Sequence, residues 1–199
     1  NNIPTYSGGL GVLAGDTIRS AADLELPMVA VTLVSRAGYF RQELDAEGGQ
    51  IEHPDSWQPD TVASSLQAKI AVNIEGRLVW VSGWLYILEG HMNGRQPVIL
   101  LDTDVDENHD DDRQITHYLY GGDEAYRLKQ EIVLGMGGMR MLQALGFKVR
   151  QYHMNEGHAV FLTLALLREF NGDEESVRQK CVFTTHTPVP AGHDKFSYD

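Results

Sequence analysis

Cysteine is nearly absent: Cys181 is the only one among 199 residues, so no disulfide can form within the chain. It lies in an apolar stretch and reads as a small buried hydrophobe rather than a nucleophile. Such cysteine usage suits a reducing compartment, and a cytoplasmic location is expected. Basic residues are also few. Sixteen Lys and Arg against 28 Asp and Glu leave a net charge of −12, which argues against a nucleic-acid partner, because phosphate-backbone binding draws on clustered cations. No apolar run reaches about 18 residues, so no membrane-spanning helix is expected, and the chain does not open on a secretory signal sequence.

Several chemical signatures are missing as well. There is no nucleophile elbow of the G-x-S-x-G kind, which excludes that class of hydrolase. Carboxylates are plentiful, yet no pair is marked as facing across a glycosidic bond. The acidic loop from Asp102 to Asp112 lacks the ligand order and central glycine of an EF-hand; a solvated surface turn is expected there. No HExxH or Cys/His spacing marks a zinc site, and no metal is expected.

What is present describes a globular α/β protein. The hydrophobic fraction of 42% is ordinary for a folded domain. Val12, Leu13, Ile18, Ala21, Ala22 and Leu24 recur at helical spacing, and Pro27 ends that helix. Met28 to Val34 reads as a buried parallel strand. Lys69 to Ile74 and Leu78 to Leu88 form a hairpin through Glu75-Gly76, with Trp80, Trp84 and Tyr86 on one face, and Pro97 to Leu101 adds a strand. A helix runs from about Tyr126 to Leu145 and stops at Gly146. Its internal glycines, Gly135, Gly137 and Gly138, imply close packing on a neighbouring backbone, since each costs roughly 1 kcal/mol relative to Ala in a helix. Val149 to Met154, Gly157 to Phe170 and Cys181 to Thr185 then read as strand, helix and strand. Polar residues gather where the strands end, which is where open α/β sheets bind ligands. Asn1-Asn2-Ile3-Pro4, without an initiator Met, and the close on Phe196-Ser197-Tyr198-Asp199 give the expectation that the chain is part of a longer protein.

Three clusters carry candidate chemistry. In Ser7-Gly8-Gly9-Leu10-Gly11 the glycines let the backbone approach a ligand, and the amides opening the next helix suit a phosphate or a sugar oxygen. An ordinary glycine turn before a helix fits the same residues. The second cluster is His153-Met154-Asn155-Glu156-Gly157-His158, and the third runs from Thr184 through His186 and Thr187 to His193. Neutral His and Asn side chains with convergent donors and acceptors suit a sugar pocket. Structural histidines at strand ends fit His153 and His193 equally.

Together, and in this order, the clusters resemble those of the α-glucan (glycogen, starch and maltodextrin) phosphorylases, particularly the shorter bacterial and archaeal type. The strongest blocks are Tyr6 to Leu24, Gly38 to Gln42, Arg127 to Glu131, His153 to His158 and Thr184 to Pro190. The resemblance implies a GT-B architecture. This chain would be an incomplete N-terminal Rossmann-like domain, residues 1–199, with a β-rich antiparallel insertion over 35–101 and a second, cofactor-bearing domain elsewhere. It implies that Gly8, Gly9 and Leu10 lie over phosphate and sugar, and that His186 offers its backbone carbonyl to the transferred glucosyl unit. Asn155, Glu156, His158 and Thr187 would line the same site. Thr185 stands where longer relatives have Asn, and Glu156 and Gly157 where they have Asp and Thr.

The activity implied is retaining transfer of the terminal glucose of an α-1,4-glucan to inorganic phosphate, giving glucose 1-phosphate. Pyridoxal phosphate is the implied cofactor. Its lysine belongs to the second domain, so this chain alone is expected to bind none covalently and to be inactive. The partners implied are α-1,4-glucan and phosphate, with homo-oligomerisation left open. Two other readings compete. A GT-B glycogen or starch synthase using nucleotide-glucose would carry Lys before the paired glycines, where Tyr6-Ser7 stands. A non-catalytic carbohydrate-binding domain would use Trp80, Trp84 and Tyr86 as stacking platforms.

Overall fold

The computed structural model describes residues 3–5, 9–119, 122–187 and 195–196, and the backbone alone at Leu10. Helix α1, Gly9–Asp23, leads into strand β1, Ala30–Leu33. A small hairpin follows, β2 (Arg41–Leu44) with β3 (Gln50–His53), and then the short β4, Ser64–Ser65. Strands β5 (Ile70–Ile74), β6 (Arg77–Glu89) and β7 (Arg95–Asp102) complete the main sheet, whose path runs β1-β7-β6-β4 with β5 on β6. The turn between β5 and β6 has positive φ at both Glu75 (52°) and Gly76 (78°), as a two-residue hairpin turn requires. β1 runs parallel to β7, and β7 antiparallel to β6. The sheet is therefore mixed, and the antiparallel strands continue the sheet of β1.

Both faces of this sheet are covered. Val79 and Val81 of β6 point to the same face as Val72 and Ile74 of β5, where they meet Ile115, Val133 and Met141. On the opposite face Val34, Val98 and Leu100 pack with Ile18 of α1, Trp57, Trp84 and Tyr86. Trp84 and Tyr86 thus serve the core, as strand alternation requires, and the Trp84 indole N–H donates to the buried Asp102 carboxylate at 2.8 Å. Tyr86 shares that apolar layer, so the stacking-platform reading is not favoured.

Beyond the sheet, α2 (Asp110–Arg113) is a single turn, and α3 spans Glu124–Ile132. The helix expected over 126–145 is interrupted: residues Val133–Gly137 form a π-helical turn before α4, Gly138–Ala144. Close backbone packing explains only Gly135 of its three glycines, where a Cβ would stand 2.6 Å from the Leu162 nitrogen. At Gly138 the nearest atom is a Val31 methyl at 3.2 Å, and at Gly137 nothing is nearer than 3.6 Å. α4 ends with Phe147 N–H on the Leu142 carbonyl and Gly146 N–H on that of Gln143, the double bond of a Schellman closure.

The last part is a separate parallel pair, β8 (Tyr152–Asn155) and β9 (Cys181–Thr184), with α5 (Phe161–Glu169) and α6 (Glu174–Lys180) between them in sequence. Its core of Met154, Leu162, Leu166 and Val177 includes Met139 of α4, and this seats the pair against the larger unit. Among the described residues no helix is long and apolar enough to cross a membrane.

The acidic segment is the expected solvated turn only in part, with Asp106, Glu107 and His109 to Asp111 exposed. Asp102, Thr103, Asn108 and Asp112 are all buried. Asn108 bridges β6 and the loop, donating to the Trp80 and Thr103 carbonyls at 2.7 and 2.8 Å and accepting from Trp80 N–H at 2.8 Å. Arg77 grips both oxygens of Asp112 at 3.0 and 3.2 Å. Buried polar groups persist when each is satisfied, and this loop is built from such pairs.

Gln96 performs the same service for α1. Its side-chain N–H₂ donates to the Ala21 and Leu26 carbonyls at 3.1 and 2.6 Å, which also accept from Leu26 N–H and Met28 N–H. Gln96→Leu is expected to lower stability by about 1 kcal/mol, because two side-chain hydrogen bonds are lost while each carbonyl keeps a backbone partner. A urea titration of the variant chain with unchanged slope and a lower midpoint would bear this out.

Candidate functional site

β8 and β9 are paired so that Asn155 lies beside Thr184, which brings the ends of both strands to one place. Side chains cross between them on two diagonals. His153 Nε2 lies 2.6 Å from Thr184 Oγ1, and His186 Nε2 lies 2.7 Å from Asn155 Oδ1. An amide oxygen only accepts, so the His186 Nε2–H is the donor in the second pair.

Glu156 ties the two strand ends together. Its N–H donates to the Thr184 carbonyl at 2.9 Å. One carboxylate oxygen, Oε1, accepts from His186 N–H at 2.8 Å and Thr187 N–H at 2.9 Å, and lies 3.2 Å from His186 Nδ1. The residue is 4% exposed. Its backbone sits at φ 62°, ψ −168°, a conformation that is otherwise almost reserved for glycine and persists only where surroundings over-determine it. Here they do, with one bond from its backbone and two to its side chain. Those amide hydrogen bonds, from His186 first and then Thr187, hold the carboxyl below the ordinary glutamate range against the opposing effect of burial. Since the folded value is depressed, this contribution to stability is present above the ordinary glutamate range and is lost as pH falls through the folded value.

The structure thus joins Asn155, Glu156, His186 and Thr187. His158 follows, half-buried in the 3-10 turn Gly157–Ala159. That turn and the start of α5 rest on Gly135 of the π-helical segment. Of the glycine cluster, Gly9 opens α1, which packs on β6 and β7. Gly8 lies outside the described residues, as do Tyr6, Ser7 and residues 188–193, and of Leu10 only the backbone is described. Gly9 has no atom within 4 Å of where a Cβ would be, and its φ is not left-handed. Neither the fold nor the backbone demands glycine there.

A second polar cluster escaped the sequence reading. At the C-terminal ends of the parallel β1 and β7, the Arg36 guanidinium meets Asp102 at 2.6 Å. Asp102 also accepts from the Trp84 indole and from Asp104 N–H at 3.0 Å. Asp104 pairs in turn with Arg113 at 2.7 Å. Only an aspartate closing the apolar run of β7 hints at it in sequence.

Hydrogen-bonded His, Asn and Glu side chains thus gather at the strand ends of a mixed α/β fold, the place where open α/β sheets bind ligands. No protein-family model matches the chain, but individual relatives do. It is 42% identical to the maltodextrin phosphorylase of Thermococcus litoralis and 43% identical to the glycogen phosphorylase of Mycobacterium tuberculosis, in each case over 98% of this chain and 24% of the relative. The glycogen phosphorylase of Aquifex aeolicus is 33% identical over 92% of this chain and 28% of its own length. The chain belongs to the glycogen and maltodextrin phosphorylase family. It spans about a quarter of the length of these relatives.

Proposed function

We propose that this chain is the N-terminal part of an α-1,4-glucan phosphorylase of GT-B architecture, with residues 35–101 as an insertion in its first Rossmann-like domain. The parent protein would transfer the terminal glucose of a glucan to phosphate with retention, in the cytoplasm. The observation that carries this reading is the convergence of the His186 and Thr187 amides on Glu156 Oε1, with Asn155 on the His186 ring, in a chain similar to phosphorylases over nearly all its length.

In this reading the His186 carbonyl faces the positive charge that develops on the glucosyl unit, and preorganised dipoles of this kind stabilise such charge in a dry site. Asn155, His158 and Thr187 line the sugar. Gly8, Gly9 and Leu10 amides at the start of α1 hold phosphate, which a helix N-terminus favours.

The lysines of this chain do not fit pyridoxal phosphate. Lys69 and Lys129 are engaged by Glu107 and Glu75, Lys148 and Lys195 are exposed, and Lys180 closes α6. The resemblance puts the cofactor lysine in the remainder of the parent, which would hold the group.

The test compares the parent protein with the 199-residue chain on maltodextrin. Phosphate-dependent release of glucose 1-phosphate by the parent, and none by the chain, is the expected result. Glucose transfer from ADP-glucose without phosphate dependence would favour the synthase instead.

A further inference from the structure

The two amides held by Glu156 are not equivalent. The N–H of Thr187 belongs to the same peptide unit as the C=O of His186. No described peptide bond is cis, and in a trans peptide the N–H and C=O point in opposite directions. A carboxylate oxygen 2.9 Å from Thr187 N therefore fixes the direction of the His186 carbonyl on the far side of that peptide. It also polarises the unit: an anionic acceptor on the N–H draws the hydrogen towards it and raises the electron density on the carbonyl oxygen, and hydrogen bonds in series reinforce one another in this way. The second bond, to His186 N–H at 2.8 Å, stops the segment from pivoting about the first. Charge-assisted bonds of this type are the strong ones.

We propose that Glu156 is a positioning residue that, through the Thr187 amide, aims and electronically enriches the His186 carbonyl for a cationic sugar-like transition state. This rests on the reading of His186 given above and adds to it a named source for the carbonyl's strength. It also explains why a glutamate occupies a backbone conformation that glycine would adopt without strain. The side chain contributes what glycine could not, an anion behind the peptide. His186 Nδ1 is the titratable group that faces the same oxygen, at 3.2 Å, so it shares the field without interrupting either amide bond.

Glu156→Gln preserves an acceptor oxygen and removes the charge. In the parent enzyme kcat is expected to fall by about 10- to 100-fold, as loss of a preorganised electrostatic contact does, with KM for glucan and phosphate within about threefold of wild type. A protonated iminosugar of glucose configuration should bind about tenfold more weakly, while neutral glucose binds as before. An unchanged kcat in a variant that remains a phosphorylase would overturn the proposal and leave the reading of the family intact. A wild-type parent without phosphorolysis would overturn that reading instead.

A second measurement does not depend on activity. In the 199-residue chain the amide proton resonances of His186 and Thr187 should move together in one titration step below the ordinary glutamate range, and that step should vanish in Glu156→Gln. Independent or absent titration of the two amides in the wild-type chain would refute the clamp, whatever the variant's folding.

Discussion

Gly135→Ala is expected to destabilise the chain by about 2–4 kcal/mol, although alanine is the better helix former. The new methyl would stand 2.6 Å from the Leu162 nitrogen and 2.9 Å from the Phe161 carbonyl carbon. Both are backbone atoms at the start of α5, so no side-chain rotation relieves the contact, and overpacking of this kind exceeds the ordinary 1–3 kcal/mol when backbone must move. The comparison that isolates the cause lies two residues on. Gly137→Ala meets nothing nearer than a Val72 methyl at 3.6 Å and should be neutral or gain up to about 1 kcal/mol, the usual benefit of removing a helical glycine. Denaturant titrations of the two variants side by side would show opposite signs; equal losses would place the cost in the helix itself. Because α5 follows directly on the turn holding His158, Gly135→Ala should also displace that turn.

Asp102→Ala should cost about 3 kcal/mol. Asp102 is 1% exposed, and its carboxylate is the common acceptor of the Arg36 guanidinium, the Trp84 indole and the Asp104 amide. Removing one partner of a buried ion pair is expensive because the other charge is left uncompensated. The neighbouring Asp104 carboxylate, 3.6 Å from Arg36, recovers part of the loss, which places the expectation at the lower end of the known range. Thermal or urea unfolding followed by tryptophan fluorescence gives the size of the effect, and Trp84 reports the lost bond directly. A change under 1 kcal/mol would mean that Asp104 alone suffices for Arg36.

These two positions mark where sequence reasoning reached and where it stopped. The hairpin at Glu75-Gly76 was legible because turn chemistry is local, and β1 because a short β-branched run between breakers has few alternatives. The interruption at Val133–Gly137 was not: a π-helical turn leaves the hydrophobic spacing nearly intact, and the segment packs on α5, which comes later in the chain. The acidic segment misled for the same reason. Asp, Asn and Thr in a row favour solvent until Arg36, Arg77 and Trp84 arrive from earlier parts of the chain to satisfy them. At the candidate site, Asn155 and His186 were legible as types of side chain at strand ends. That Glu156 would turn back to bind two backbone amides depends on the β8–β9 register, which periodicity does not give.

Helix α1 has a division of labour along its length. Ala21 and Ala22 are buried near its end, where the Gln96 side chain and the Gly90–Gly94 turn close on it; a Cβ at Gly94 would run into the Ala22 carbonyl. Val12 and Leu13, one turn from the start, are 42% and 47% exposed. The helix is a beam whose load rises along its length: Ile18 leans on the core and Ala21 and Ala22 are enclosed by it. A change near Ala22 is felt by the β6–β7 edge of the sheet, whereas Val12 and Leu13 carry little of that load.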